Sequence, residues 1–200
     1  MFKFIKNLPD FIRAELLISI IAVAEYSFLG PIITKLEGML FTVTVISILT
    51  GIDRFKGVIV YMLRGLNLTT TYKIMFVIVI THICITITYF IDQKVFIWLI
   101  IINSALGGIF FRIFYIEWDA IIANILNKND FKEFSHIDSL LNTVVGVISL
   151  SIVVMLSLYD TDILVITNIC LNFIALYLMF KQYKNFYTNE KLKEILKDIE

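Results

Sequence analysis

Six runs of predominantly apolar residues, each close to the length that crosses a lipid bilayer, follow one another along this chain of 200 residues. They fall near residues 11–33, 39–64, 74–91, 95–121, 137–158 and 163–180. The hydrocarbon core of a bilayer is about 30 Å thick, and a helix needs about 20 residues to cross it. Within that core a backbone must satisfy its own N–H and C=O groups, so such runs fold as helices. The chain is 59% hydrophobic with a mean hydropathy of +0.88, more apolar surface than a soluble domain of this size can bury. The expected fold class is therefore an all-α membrane protein with six transmembrane helices.

Turn residues divide the runs: Gly30-Pro31 closes the first, Gly65-Leu66-Asn67 the second, and Asp92-Gln93-Lys94 separates the third from the fourth. The fourth continues in an amphipathic manner toward Leu126, longer than a perpendicular span requires. Residues 1–184 are expected to form the transmembrane domain, and residues 185–200 a cytoplasmic amphipathic tail with Leu192, Ile195, Leu196 and Ile199 on one face. No small-residue cleavage site follows the charged segment Met1 to Arg13 before Glu25, so the first span is expected to be retained.

Lysine and arginine set the expected orientation, because cytoplasmic loops carry the excess of positive residues. One side collects Lys3, Lys6, Arg13, Arg64, Lys73, Lys128, Lys132, Lys181, Lys184, Lys191, Lys193 and Lys197, and the other only Lys35 and Lys94. This places both termini in the cytoplasm of a protein of the cell (inner, plasma) membrane. The formal net charge of +0 offers no argument for a nucleic-acid partner. Cys84 and Cys170 lie within apolar runs and read as small hydrophobes.

Charge inside the spans is what distinguishes this chain from a simple apolar bundle. A charged residue at a span centre costs roughly 2.5–3.5 kcal/mol on insertion scales, so intramembrane charges mark polar interiors or function. The second run carries Gly51-Ile52-Asp53-Arg54-Phe55-Lys56-Gly57. Asp53 and Lys56, at i and i+3, can pair along one helix, whereas Arg54 points about 100° away and needs another counterion, for which Glu25 and Asp119 are candidates. In the fourth run Ser104, Gly108, Arg112, Tyr115 and Asp119 recur on one helical face. Burial makes Glu25 a proton-coupling candidate, and the guanidinium of Arg112 suits an anionic or carboxylate-bearing ligand. The candidate substrate- or ion-binding residues are thus Glu25, Asp53, Arg54, Lys56, Arg112, Tyr115 and Asp119.

The remaining polar residues read as structural. Ser139, Asn142, Thr143, Gly146 and Ser149 form a small-and-polar strip of the kind that packs membrane helices. The third and sixth runs have no charge within their apolar bodies, only His82 on one and Asn168 and Asn172 on the other, and are expected to face lipid and brace the rest. His82, with no acid or second histidine at ligand spacing, reads as a packed side chain. No phosphate-binding loop, zinc-protease helix or nucleophile elbow occurs, so no enzyme, metal or cofactor is expected.

A long fourth helix, the charged cytoplasmic loop Asn127-Lys128-Asn129-Asp130-Phe131-Lys132-Glu133-Phe134, the Ser/Asn-rich run Ser135 to Ile148 and the sixth-helix segment Asn168 to Ala175 follow in order. This order resembles one six-helix half of a major facilitator superfamily transporter of the drug-exporter-like kind. The resemblance implies that the first and fourth helices, with Glu25 and Arg112, line a cavity while the third and sixth lie outside. The family's Gly-Asp-Arg/Lys-Gly signature between the second and third helices is absent from Arg64 to Lys73. Because such a transporter has two halves, the resemblance implies a homodimer, a second six-helix subunit or a longer reading frame. The expected function is small-solute transport, with intramembrane charges lining a cavity. The alternative is a non-transporting binding, immunity or regulatory subunit whose charges are sealed ion pairs.

Overall fold

A computed structural model describes residues 2–49, 68–158 and 160–188. All regular structure among them is helical: α1 (Phe2–Asn7), α2 (Asp10–Glu37), α3 (Met39–Leu49), α4 (Leu68–Thr88), α5 (Gln93–Ile125), α6 (Lys128–Ser157) and α7 (Thr161–Thr188). Five of these, α2, α4, α5, α6 and α7, are long and apolar enough to cross a membrane. The second apolar run is described only as α3. Asp53, Arg54 and Lys56 lie outside the described residues, as does the tail beyond Thr188.

α2 packs along α6 and α7, and α4 along α5 and α7. Two apolar clusters hold the bundle, one at each end. The first joins Phe11 and Leu16 of α2, Tyr72 and Met75 of α4, Phe114 and Trp118 of α5, Phe134 of α6 and Met179 of α7. The second joins Phe28 and Ile32 of α2, Ile85 of α4, Phe96 and Ile100 of α5, Val153 of α6 and Leu164 of α7. α4 is pinned to α7 at both ends, where the Tyr72 hydroxyl donates to the Met179 carbonyl at 2.8 Å and the Tyr89 hydroxyl to Asp162 Oδ1 at 2.7 Å. Outward faces are apolar, with Val77, Ile80, Trp98, Ile102, Val147, Ile152, Phe173 and Tyr177 exposed, as a lipid-facing surface requires.

Helix ends differ from the sequence expectation in two places. α2 does not stop at Gly30-Pro31 but runs through Pro31 to Glu37. Proline lacks the N–H that would bond four residues back, and membrane helices tolerate this where hydroxyls offer local bonds. Pro31 frees the Ser27 carbonyl; beyond it the Thr34 hydroxyl donates to the Gly30 carbonyl at 2.8 Å, and the burial of Ile32 and Ile33 holds the continued helix in the bundle. The segment expected as the loop Asn127 to Phe134 is instead the first two turns of α6. Asn127 is its cap, the side-chain oxygen accepting from the N–H groups of Asn129 and Asp130 at 3.0 and 2.9 Å. Phe134 and Ile137 are buried, so apolar packing draws this charged stretch into the helix.

The stop of α2 is Gly38, at φ 86° and ψ 169°, a region essentially reserved for glycine. An added Cβ would meet nothing within 4 Å, so the cost of a side chain is confined to the backbone. Gly38→Ala is expected to destabilise the protein by about 1–3 kcal/mol in an unfolding titration in detergent. A change below about 0.5 kcal/mol, as at an ordinary surface position, would contradict this conformation.

Candidate functional site

Between the two apolar clusters, four helices turn polar side chains toward one another. His82 of α4 is at the centre. Its Nε2 lies 2.9 Å from Glu25 Oε1 on α2 and 3.3 Å from Asn168 Oδ1 on α7, and its Nδ1 lies 3.2 Å from Asn103 Nδ2 on α5. Asn168 Nδ2 donates to the same Glu25 oxygen at 3.1 Å, and Asn172 Nδ2 donates to the Asn168 carbonyl at 3.0 Å. Glu25 therefore has a donor from α4 and another from α7, while Asn103 holds the far side of the imidazole.

These contacts define the chemistry of the histidine. With a proton on Nε2, directed at Glu25, Nδ1 is free to accept from the Asn103 amide, which suits a neutral ring. A second proton on Nδ1 requires only that the Asn103 amide turn over and present its oxygen. The arrangement thus has two satisfied protonation states, related by one amide rotation. The side chains of His82 and Glu25 are 10% and 21% exposed, so the pair is largely shielded yet reachable from one side.

That side is a cavity of about 760 Å³ bounded by α2, α4, α5, α6 and α7. Its walls include Glu25, His82 and Asn103 together with Arg112, Tyr115 and Asp119. All five members of the α5 face predicted from spacing, Ser104, Gly108, Arg112, Tyr115 and Asp119, line it. From Asn103 to Asp119 this wall runs about 24 Å along the helix axis. Arg112 and Asp119 are both exposed, and Arg112 is the cation that acts on Asp119 two turns on. Among the described residues no carboxylate comes within ion-pair distance of Arg112.

A second hydrogen-bonded chain crosses the cavity nearer Asp119. Tyr115 of α5 and Ser19 of α2 both line it here, the Ser19 hydroxyl donates to Asn142 Oδ1 of α6 at 3.1 Å, and Asn142 Nδ2 donates to Asp138 Oδ1 at 3.2 Å. Asn142 therefore serves the interface and the cavity together. Gly146 and Ser149 lie in the packed part of the α6 strip, whereas Ser139 and Thr143 are exposed.

Four of the seven predicted site residues, Glu25, Arg112, Tyr115 and Asp119, are thus brought to one cavity, and Asp53, Arg54 and Lys56 lie outside the described residues. Two expectations need correction. α4 and α7 do present apolar residues outward, but they also supply His82, Asn168 and Asn172 to the polar centre, so they are not merely bracing helices. His82 is not an isolated packed ring, because its acid comes from another helix. Sequence reading also passed over Asn103 and Gln182, and over Glu15 in the apolar stretch Ala14 to Ile18, where a lone carboxylate was itself the signal.

The chain matches no protein-family model, no curated protein and no solved structure.

Proposed function

We propose that this protein moves a small anionic or carboxylate-bearing solute across the membrane, with Arg112 binding the solute and the Glu25–His82 pair exchanging a proton as it passes. The observation that carries the reading is the placement of a cation with no described carboxylate partner in the same cavity as a shielded acid–histidine pair. Intramembrane ionisable groups are costly, and a sealed structural network has no use for an exposed arginine facing a cavity. The two satisfied states of His82 give a way to take up and release a proton without leaving a polar group unpaired.

The proposal includes six spans with both termini cytoplasmic. That α2 ends in one apolar cluster and α4 begins in the other supports this reading. It also includes a facilitator-type half-transporter in which a second copy, or a second six-helix subunit, closes the cavity. In a two-fold assembly Glu25 and Arg112 would occur twice around the axis and line one pathway.

A thermal-shift screen of the purified protein against small mono- and dicarboxylates tests the solute class. One of them is expected to stabilise the wild type, by about 2.7 kcal/mol at a hundredfold excess over its Kd, and Arg112→Gln is expected to abolish the shift. No stabilisation by any small anion, or a shift that survives Arg112→Gln, would contradict the assignment. Those results favour the non-transporting binding or regulatory subunit, in which Glu25 and His82 only fix helix register.

A further inference from the structure

Glu15 lies on α2 one turn before Ser19, and Gln182 lies on α7 three residues after Met179, so the two meet just beyond the wall that Ser19 and Met179 give to the cavity. Glu15 is 3% exposed and Gln182 fully buried. Gln182 Nε2 donates to Glu15 Oε2 at 3.0 Å. The other oxygen of each side chain, Glu15 Oε1 and Gln182 Oε1, is buried with no hydrogen-bond partner among the described residues. Two buried acceptors on a single pair of side chains is an unusual deficit, since nearly all such atoms find a donor.

A single proton removes both deficits. A carboxylic acid O–H on Oε1 is a donor, and the amide oxygen it needs belongs to the side chain already bound to Oε2. Acid and amide then close a ring of two hydrogen bonds, N–H to carboxyl oxygen and carboxyl O–H to amide oxygen. The ionised form instead leaves a buried charge with one neutral donor, which is far more costly.

Among the described residues the surrounding charges do not supply an alternative. Asp119 of α5 and Asp138 of α6 are the charged groups that act on Glu15, and both are acids; Tyr72 of α4 and Tyr115 of α5 are the neighbouring phenols. On α2 itself Arg13 is engaged by Asp10, and on α7 Lys181 and Lys184, which flank Gln182, are exposed. We infer that Glu15 and Gln182 form a proton-binding site, a neutral carboxylic acid held in an acid–amide ring beside the cavity, distinct from the Glu25–His82 pair. The ligand is one proton. Asp119 and Asp138, on the cavity wall, are the groups through which it can exchange with water.

Infrared spectroscopy of the full chain in lipid vesicles at neutral pH reads this proton directly, whether or not the protein transports anything. The wild type is expected to show a protonated-carboxyl C=O band that is lost in Glu15→Gln and kept in Glu117→Gln. In Gln182→Leu the same band is expected to move to higher frequency, because the acid loses its ring partner. Glu15→Gln mimics the neutral acid and keeps both hydrogen bonds, so it is expected to fold like the wild type. An acid carbonyl region unchanged by Glu15→Gln, a band unmoved by Gln182→Leu, or failure of Glu15→Gln to fold would overturn the inference.

Discussion

Replacing His82 with alanine is expected to lower the stability of the folded protein by about 3–5 kcal/mol, the cost of stripping a buried charge of its partner. The imidazole is 2.9 Å from Glu25 Oε1 and also touches Asn168 and Asn103, so its loss leaves one carboxylate with Asn168 as its side-chain donor and one amide with no acceptor. The damage spreads to four helices, because α2, α4, α5 and α7 each contribute a member of the group. Removing the acid as well is expected to be milder than removing the histidine alone: Glu25→Gln with His82→Ala leaves no buried charge and keeps an amide oxygen for Asn168. Unfolding titrations of the single and double variants in detergent would measure this. A double variant destabilised by the sum of the two single losses would show that the two residues are not coupled.

Trp118→Ala should be comparably severe, at about 3–5 kcal/mol, for an apolar reason. Trp118 is 1% exposed and sits in the first cluster, with Phe114 stacked at 5.8 Å and Phe11 edge-on at 6.0 Å. Truncation opens a void among side chains from α2 and α5 that their packed neighbours cannot fill. Trp98 is the control. It is 62% exposed and touches Phe41 edge-on at 6.1 Å, so Trp98→Ala forfeits one ring pair, worth about 0.5–1.5 kcal/mol. The same substitution at two tryptophans on one helix should therefore differ severalfold in the unfolding free energy. Equal losses would mean that α5 is not oriented as described.

What could be read from the sequence was what a single helix encodes. Ser104, Gly108, Arg112, Tyr115 and Asp119 share a face because of helical spacing alone, and the cavity wall they form was legible without any neighbour. Hydropathy likewise located five long helices, though it missed the continuation of α2 past Pro31, where Ile32 and Ile33 are buried in the bundle. The centre of the site was not legible. His82 and Asn168 are 86 residues apart, Asn168 and Glu25 143, and Glu15 and Gln182 167. No periodicity within one helix says which face of another it will meet. A helix with a single histidine in an apolar body is indistinguishable, in sequence, from a lipid-facing brace. The charge density of Asn127 to Glu133 argued for a loop, and the burial of Phe134 and Ile137 decided otherwise.

On the proposed function the polar wall of α5 faces water within the membrane. Ser104 lines the cavity one residue after Asn103, and serine to cysteine is a small change. Cys84 and Cys170 are exposed and are first replaced with alanine. Ser104→Cys is then treated with a membrane-impermeant thiol reagent in right-side-out and in inverted vesicles. Modification is expected at a rate that falls when a stabilising carboxylate is present. No modification from either side would contradict it.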